Sequence, residues 1–201
     1  MKKIIVKKWT TREITYIGIM AAAVYAASAF LQIHIPTVIG STRLHMGNVM
    51  CLLAGMLLGS VQGGLAAGIG SMLFDLTNPA YAVSAPFTFC FKFAMAWICG
   101  AVIWGNKSTR ISRMLRHRKV GIPIRQRYLL GSVAGSFTYV ICYLSKNFME
   151  HYFVLGLPLQ AVLLMIAQKA AVSGINAVVA CVVAVPLGLA LRRVTAFRSQ
   201  S

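Results

Sequence analysis

A small set of side chains able to bind or react stands inside otherwise apolar stretches of this sequence. Lys92 and Lys169 interrupt runs of Phe, Ala, Leu and Val. Asp75 follows Leu73-Phe74, and Asn147, Gln168, Ser173 and Asn176 punctuate the last third of the chain. Ionisable groups in apolar surroundings are costly to keep, so each is a candidate functional residue by default. Their types and spacing fit binding better than bond-making. No G-x-S-x-G, H-E-x-x-H, Walker A or complete G-x-G-x-x-G occurs, so the frames for a serine nucleophile, a catalytic zinc or a bound nucleotide are missing. Cys51, Cys90, Cys99, Cys142 and Cys181 form no C-x-x-C pair and read as buried free thiols. His34, His45, His117 and His151 lack metal-ligand spacing. Beyond the first tail the acids are Asp75 and Glu150 alone, too few to supply a membrane enzyme with paired acid and base. The sequence therefore predicts no enzyme, no metal and no cofactor of its own.

The elements that must hold these groups follow from composition. The chain has 201 residues, 58% hydrophobic and 11% charged, with mean hydropathy +0.74. Soluble domains carry roughly 25% charged residues, so a soluble globule is excluded. The net charge is nevertheless +17, from 20 Lys and Arg against 3 acids. Sixteen of the cations fall in three blocks: Lys2–Arg12, Lys107–Arg127 and Arg192–Arg198. Nucleic-acid binders interleave aromatics with their cations. These blocks hold few aromatics, Trp9 in the first and Phe197 in the third with Tyr128 just beyond the second, and read as membrane-flanking charge. No nucleic-acid partner is expected; membrane lipid is.

Apolar runs cover 14–33, 47–74, 87–104, 128–148 and 157–191, and a crossing takes about 20 apolar residues. The run 47–74 is long for one helix and short for two. Charge parity favours two, because only then do all three basic blocks fall on the cytoplasmic side. A break is expected at Ser60-Val61-Gln62-Gly63-Gly64. The predicted fold is all-α: a compact bundle of six transmembrane helices with both termini cytoplasmic. Residues 1–13 form a basic tail, 14–191 the membrane domain with a cytoplasmic loop at 105–127, and 192–201 a second tail. The two middle helices are short enough to require tilt or local thinning of the bilayer. A cytoplasmic extension is expected beyond Pro186. Ala27-Ser28-Ala29 after the first apolar run also has the look of a signal-peptidase site, but removing that helix would break the parity.

In this topology the external loops are 34–46, 77–86 and 149–156. Lys92 lies about 9 Å below Pro86 and Lys169 about 16 Å below Pro158, at about 1.5 Å per residue. Arg43, His45, Asn48, Asp75, Asn78, Lys92, Asn147, Lys169 and Asn176 converge on the outer half and are the candidate substrate-binding residues. The bland alternatives are definite: Lys92 paired with Asp75, Arg43, His45 and Lys146 as interface anchors, Asn176 tying helices together. Tyr81, Phe87, Phe89, Tyr143, Tyr152 and Phe153 lie towards the same side, to stack on a planar ring or to form an interfacial belt.

Small residues make a second pattern. Ala22/Ala26 and Ala23/Ala27, then Gly55/Gly59, Gly64/Gly68 and Gly131/Gly135, are four apart and share helix faces, which lets another backbone approach. They serve packing inside the bundle or, on the first helix, docking of another membrane protein.

The segments Ile33–Asn48, Leu52–Gly59, Gly63–Leu76 and Ala85-Pro86-Phe87-Thr88 with Lys92 resemble the substrate-binding S components of energy-coupling factor (ECF) vitamin transporters. The resemblance is strongest over 14–104. The element His45, Gly47, Asn48 is most similar to hydroxymethylpyrimidine/pyridoxine-type members, with riboflavin-type members next. Arg43 and the Ser60-Val61-Gln62 turn depart from the pattern. The resemblance implies capture of a small water-soluble vitamin outside a prokaryotic plasma membrane. It also implies docking through Ala22, Ala23, Ala26 and Ala27 on a membrane-embedded coupling (T) subunit, with ATP hydrolysed by two partner ATPases. A stand-alone carrier or exporter is the other class the sequence leaves open.

Overall fold

The computed structural model describes residues 9–36, 41–79, 81–105 and 123–198. Helix α1 (Thr11–Phe30) opens on a capping box in which the Thr10 side chain accepts from the Glu13 backbone and Glu13 reaches back to the Thr10 N–H. Such reciprocal caps satisfy donors that a helix start leaves orphaned. A two-stranded antiparallel hairpin follows, β1 (Gln32–Pro36) and β2 (Ser41–His45), in the register Gln32↔His45 to Pro36↔Ser41. The Met46 N–H donates to Leu31 O at 3.0 Å across its base. The hairpin is an addition to the all-α architecture expected from the sequence.

The run 47–74 does form two helices, α2 (Gly47–Leu58) and α3 (Ser60–Leu76). They part at Gly59, one residue before the expected turn. Gly59 has φ 86°, a conformation that glycine reaches without the steric cost a Cβ would bring. Gly63 and Gly64 stay helical because they are needed for contact. A Cβ on Gly63 would sit 2.5 Å from Ala54 O, and one on Gly64 would sit 3.0 Å from the Phe93 ring. After a 3-10 turn at Ala82–Ser84 come α4 (Ala85–Trp104), with Pro86 in its first turn, and α5 (Ile124–Met149), entered from Pro123. Helix α5 ends in a π turn, Glu150–Val154. Helix α6 (Leu159–Arg198) runs unbroken through Pro186, and so past residue 192. Most of the basic segment 105–127 lies outside the described residues, as do residues 1–8 of the first tail.

Helices α1, α3, α4, α5 and α6 pack in an arc, each against the next, and α2 lies inside it against all five. A helix apolar on every side has to be buried, and α2 buries Val49, Cys51, Leu52, Leu53, Ala54 and Met56. The surface shows the reverse of the soluble pattern. Phe30, Val83, Phe137, Leu163, Val178 and Val182 are exposed, while Asn48, Asp75, Lys92, Asn147 and Lys169 are buried. Lipid as the surrounding solvent accounts for both. Among the described residues, four helices are long and apolar enough to cross a bilayer: Thr11–Phe30, Ala82–Trp104, Ile124–Val154 and Leu159–Arg192. At 12 and 17 residues, α2 and α3 reach about 18 and 25 Å against a hydrocarbon core of about 30 Å.

Candidate functional site

The C-terminal ends of α1, α3 and α5 and the N-terminal ends of α2, α4 and α6 share one end of the bundle. A cavity of ≈ 210 Å³ opens there. Helical periodicity explains which residues reach it, since positions three, four and seven apart share a face. Helix α3 contributes Ser71, Phe74 and Asp75, and α4 contributes Phe87, Thr88, Phe91 and Lys92. Helix α5 supplies the ladder Tyr139, Tyr143, Asn147 and His151, flanked by Lys146 and Glu150, while α6 supplies Lys169, Ser173 and Asn176.

The polar groups interlock. Lys169 Nζ donates to Asn147 Oδ1 at 2.6 Å, and Asn147 Nδ2 donates to Tyr143 O at 2.8 Å. His151 Nδ1 lies 2.8 Å from Asn147 O. Lys92, 2% exposed, donates to Asn48 Oδ1 and stands 3.8 Å from the centroid of the Tyr139 ring. A cation over an aromatic face gains from the ring quadrupole, more so when desolvated. Tyr139 stacks on Tyr143 at 5.9 Å. Nearer the mouth, Lys146 pairs with Glu150 and donates to Ser84 Oγ at 3.1 Å, joining α5 to the turn before α4. Chemically, this is an enclosure with cationic and amide donors on one side and aromatic faces beside them. It suits a planar molecule bearing polar groups. Among the described residues no cluster of His, Cys, Asp and Glu could hold a metal ion.

Of the residues singled out from the sequence, Asp75, Lys92, Asn147, Lys169 and Asn176 line this cavity. Asn48 adjoins it as the acceptor of Lys92. Asn78 does not line it; its backbone caps the end of α3, donating to Asp75 O and accepting from Tyr81 and Ala82. Arg43 and His45 stand on β2, but their side chains lie outside the described set. Among the aromatics, Tyr81, Phe87 and Tyr143 line the cavity. Phe89 packs on Gly68 and Phe93 instead, and Phe153 is exposed. Sequence reasoning missed Ser28, Ser71, Thr88, Phe91, Tyr139 and His151 as part of one site. Stepping four residues from Asp75, Lys92, Tyr143 and Asn147 would have reached most of them.

An apolar-surfaced bundle with several membrane-length helices and a buried polar cavity at one end is a multi-pass membrane protein that binds a small solute. Residues 8–193 match the ECF-type riboflavin transporter S components, and the chain belongs to that family. A comparison with curated proteins finds no match. The chain is thus the substrate-binding S subunit of an ECF importer for a vitamin, a transporter component rather than an enzyme.

Proposed function

We propose that this S subunit captures riboflavin from outside a prokaryotic cell. The family match favours riboflavin over the pyridoxine-type substrate that the loop resemblance placed first. The observation that carries the reading is the pairing of two chemistries in one cavity. Tyr139, Tyr143, Phe87 and Phe91 offer flat faces to a ring system, and Lys169, Asn147, Asn176 and Lys92 offer hydrogen bonds to ring heteroatoms and side-chain hydroxyls. Arg43, His45, Asn48 and Asp75 complete the proposed substrate set, while Asn78, at the end of α3 outside the cavity, is assigned to holding the turn before α4.

The six helices cross the plasma membrane with both termini and the basic loop inside, in keeping with the clustering of cations. Delivery runs through a membrane-embedded T subunit and two ATPases, met by Ala22, Ala23, Ala26 and Ala27 of α1. Ala22 is exposed and the other three are half-buried, which supports an accessible small-residue face. The test is direct. Protein purified in detergent from cells grown with riboflavin should carry a flavin absorption spectrum, and titration should quench riboflavin fluorescence. Binding of pyridoxine or hydroxymethylpyrimidine without riboflavin would overturn the substrate assignment.

A further inference from the structure

Ser28 lies two residues before the end of α1, is 1% exposed, and lines the cavity. Its Oγ has no hydrogen-bond partner. This is unusual for a hydroxyl inside a helix, which generally bonds back to a carbonyl one turn earlier. Others in this chain do so. Ser132 Oγ donates to Tyr128 O and Leu129 O at 2.9 Å, Thr15 to Thr11 O at 3.0 Å, and Thr138 to Ala134 O at 2.9 Å. A buried polar atom left without a partner is costly and calls for an explanation. Two other buried atoms share the condition, Tyr128 Oη and Gln32 Oε1, but neither residue lines the cavity. Ser28 alone of the three combines an unsatisfied hydroxyl with a place in the wall.

We infer that Ser28 is a ligand-contacting residue, whose hydroxyl exchanges a hydrogen bond with a polar group of the bound vitamin. This adds α1 to a site otherwise lined from α3, α4, α5 and α6. The serine shares the lining of one cavity with Ser71, Asp75, Asn147 and Lys169. Ser28 is also about 120° around α1 from Ala22, at about 100° per residue. One helix therefore carries the ligand contact and, on a separate face, the small residues assigned to docking. The inference rests on the proposed capture of riboflavin.

The experiment titrates riboflavin into the purified full chain by fluorescence quenching, and records melting with and without riboflavin, for the wild type, Ser28→Ala and Ser28→Cys. Ser28→Ala should weaken binding about tenfold, equivalent to about 1.4 kcal/mol. The ligand-free melting temperature should hold or rise, because the substitution removes an unpaired hydroxyl, while the riboflavin-induced shift shrinks. A merely structural serine would instead lower the ligand-free melting temperature and leave affinity unchanged. Ser28→Cys keeps the volume with a poorer donor and should also weaken binding; it decides by the same criterion if Ser28→Ala fails to fold. Dissociation constants within twofold of wild type in the folded variant overturn the inference and leave the proposed function standing. Absence of riboflavin binding in the wild type itself overturns both.

Discussion

Lys169 donates to Asn147 from a position only 6% exposed, about three turns into a helix that begins at Leu159. A buried ammonium has to be stabilised by hydrogen-bond partners. Asn147 provides one carbonyl oxygen and in turn anchors to Tyr143 O. If the pair also meets the vitamin, hydrogen bonds to a charged group are worth about 1.5–3 kcal/mol. Lys169→Ala should then weaken riboflavin binding by roughly ten- to a hundredfold. Asn147→Ala should cost a similar factor, and the double variant less than the product of the two, because neighbours in one network are not additive. Isothermal titration of the four proteins reads this, and an unchanged dissociation constant in Lys169→Ala refutes its role. Lys146–Glu150 makes the contrast. Its side chains are 18% and 41% exposed, and pairs open to water contribute about 0–1 kcal/mol. Glu150→Gln should therefore alter the melting temperature little.

At the level of elements, glycine placement decides how close the helices lie. A Cβ on Gly135 of α5 would fall 2.5 Å from Met95 O of α4, and one on Gly131 would fall 2.9 Å from Cys99 O. Backbone oxygens cannot step aside as flexible side chains do, so the two helices would have to separate. Gly135→Ala should destabilise the bundle by about 1–3 kcal/mol, the usual range for overpacking, seen as a lower melting temperature in detergent. Gly18 on α1 has nothing within 4 Å of the same position. Gly18→Ala should stabilise by about 0.5–1 kcal/mol through helix propensity alone. Equal losses at the two sites would refute the assignment of Gly131/Gly135 to internal packing. The same elements show what the sequence could convey. Apolar runs and charge parity gave six helices, and Pro86 and Pro158 marked the starts of α4 and α6 to within a residue. The hairpin was harder to see. Its strands are five residues each, too short for periodicity to separate from a loop, though Gln32-Ile33-His34-Ile35 does alternate. Ser28 was hidden for a different reason: a lone serine among alanines says nothing until the helix is wound and its hydroxyl is found without a partner.

For the molecule as a whole, the placement of charge separates two jobs. Sixteen cations sit in blocks at the ends and in the connection 105–127, which the proposed topology puts on the cytoplasmic side. Three of the remaining four, Lys92, Lys146 and Lys169, line the cavity together with both acids beyond the first tail, Asp75 and Glu150. The sequence carries no phosphate loop, so ATP-driven accumulation needs the partner ATPases, and a binding equilibrium by itself cannot drive it. Vesicles holding this chain alone should bind riboflavin up to the amount of protein present and gather no more, which distinguishes an S subunit from a stand-alone carrier. Adding T and ATPase subunits with ATP should produce sustained uptake. The small-residue face of α1 gives that coupling a mutational handle. Ala22 is exposed and Ala26 half-buried, one turn apart, so an indole at either position obstructs an approaching helix with modest disturbance inside the bundle. Ala22→Trp and Ala26→Trp should retain the wild-type dissociation constant and lose ATP-driven uptake. Undiminished uptake in both variants would remove α1 as the docking helix, whereas loss of binding would place these alanines in the fold of the site instead.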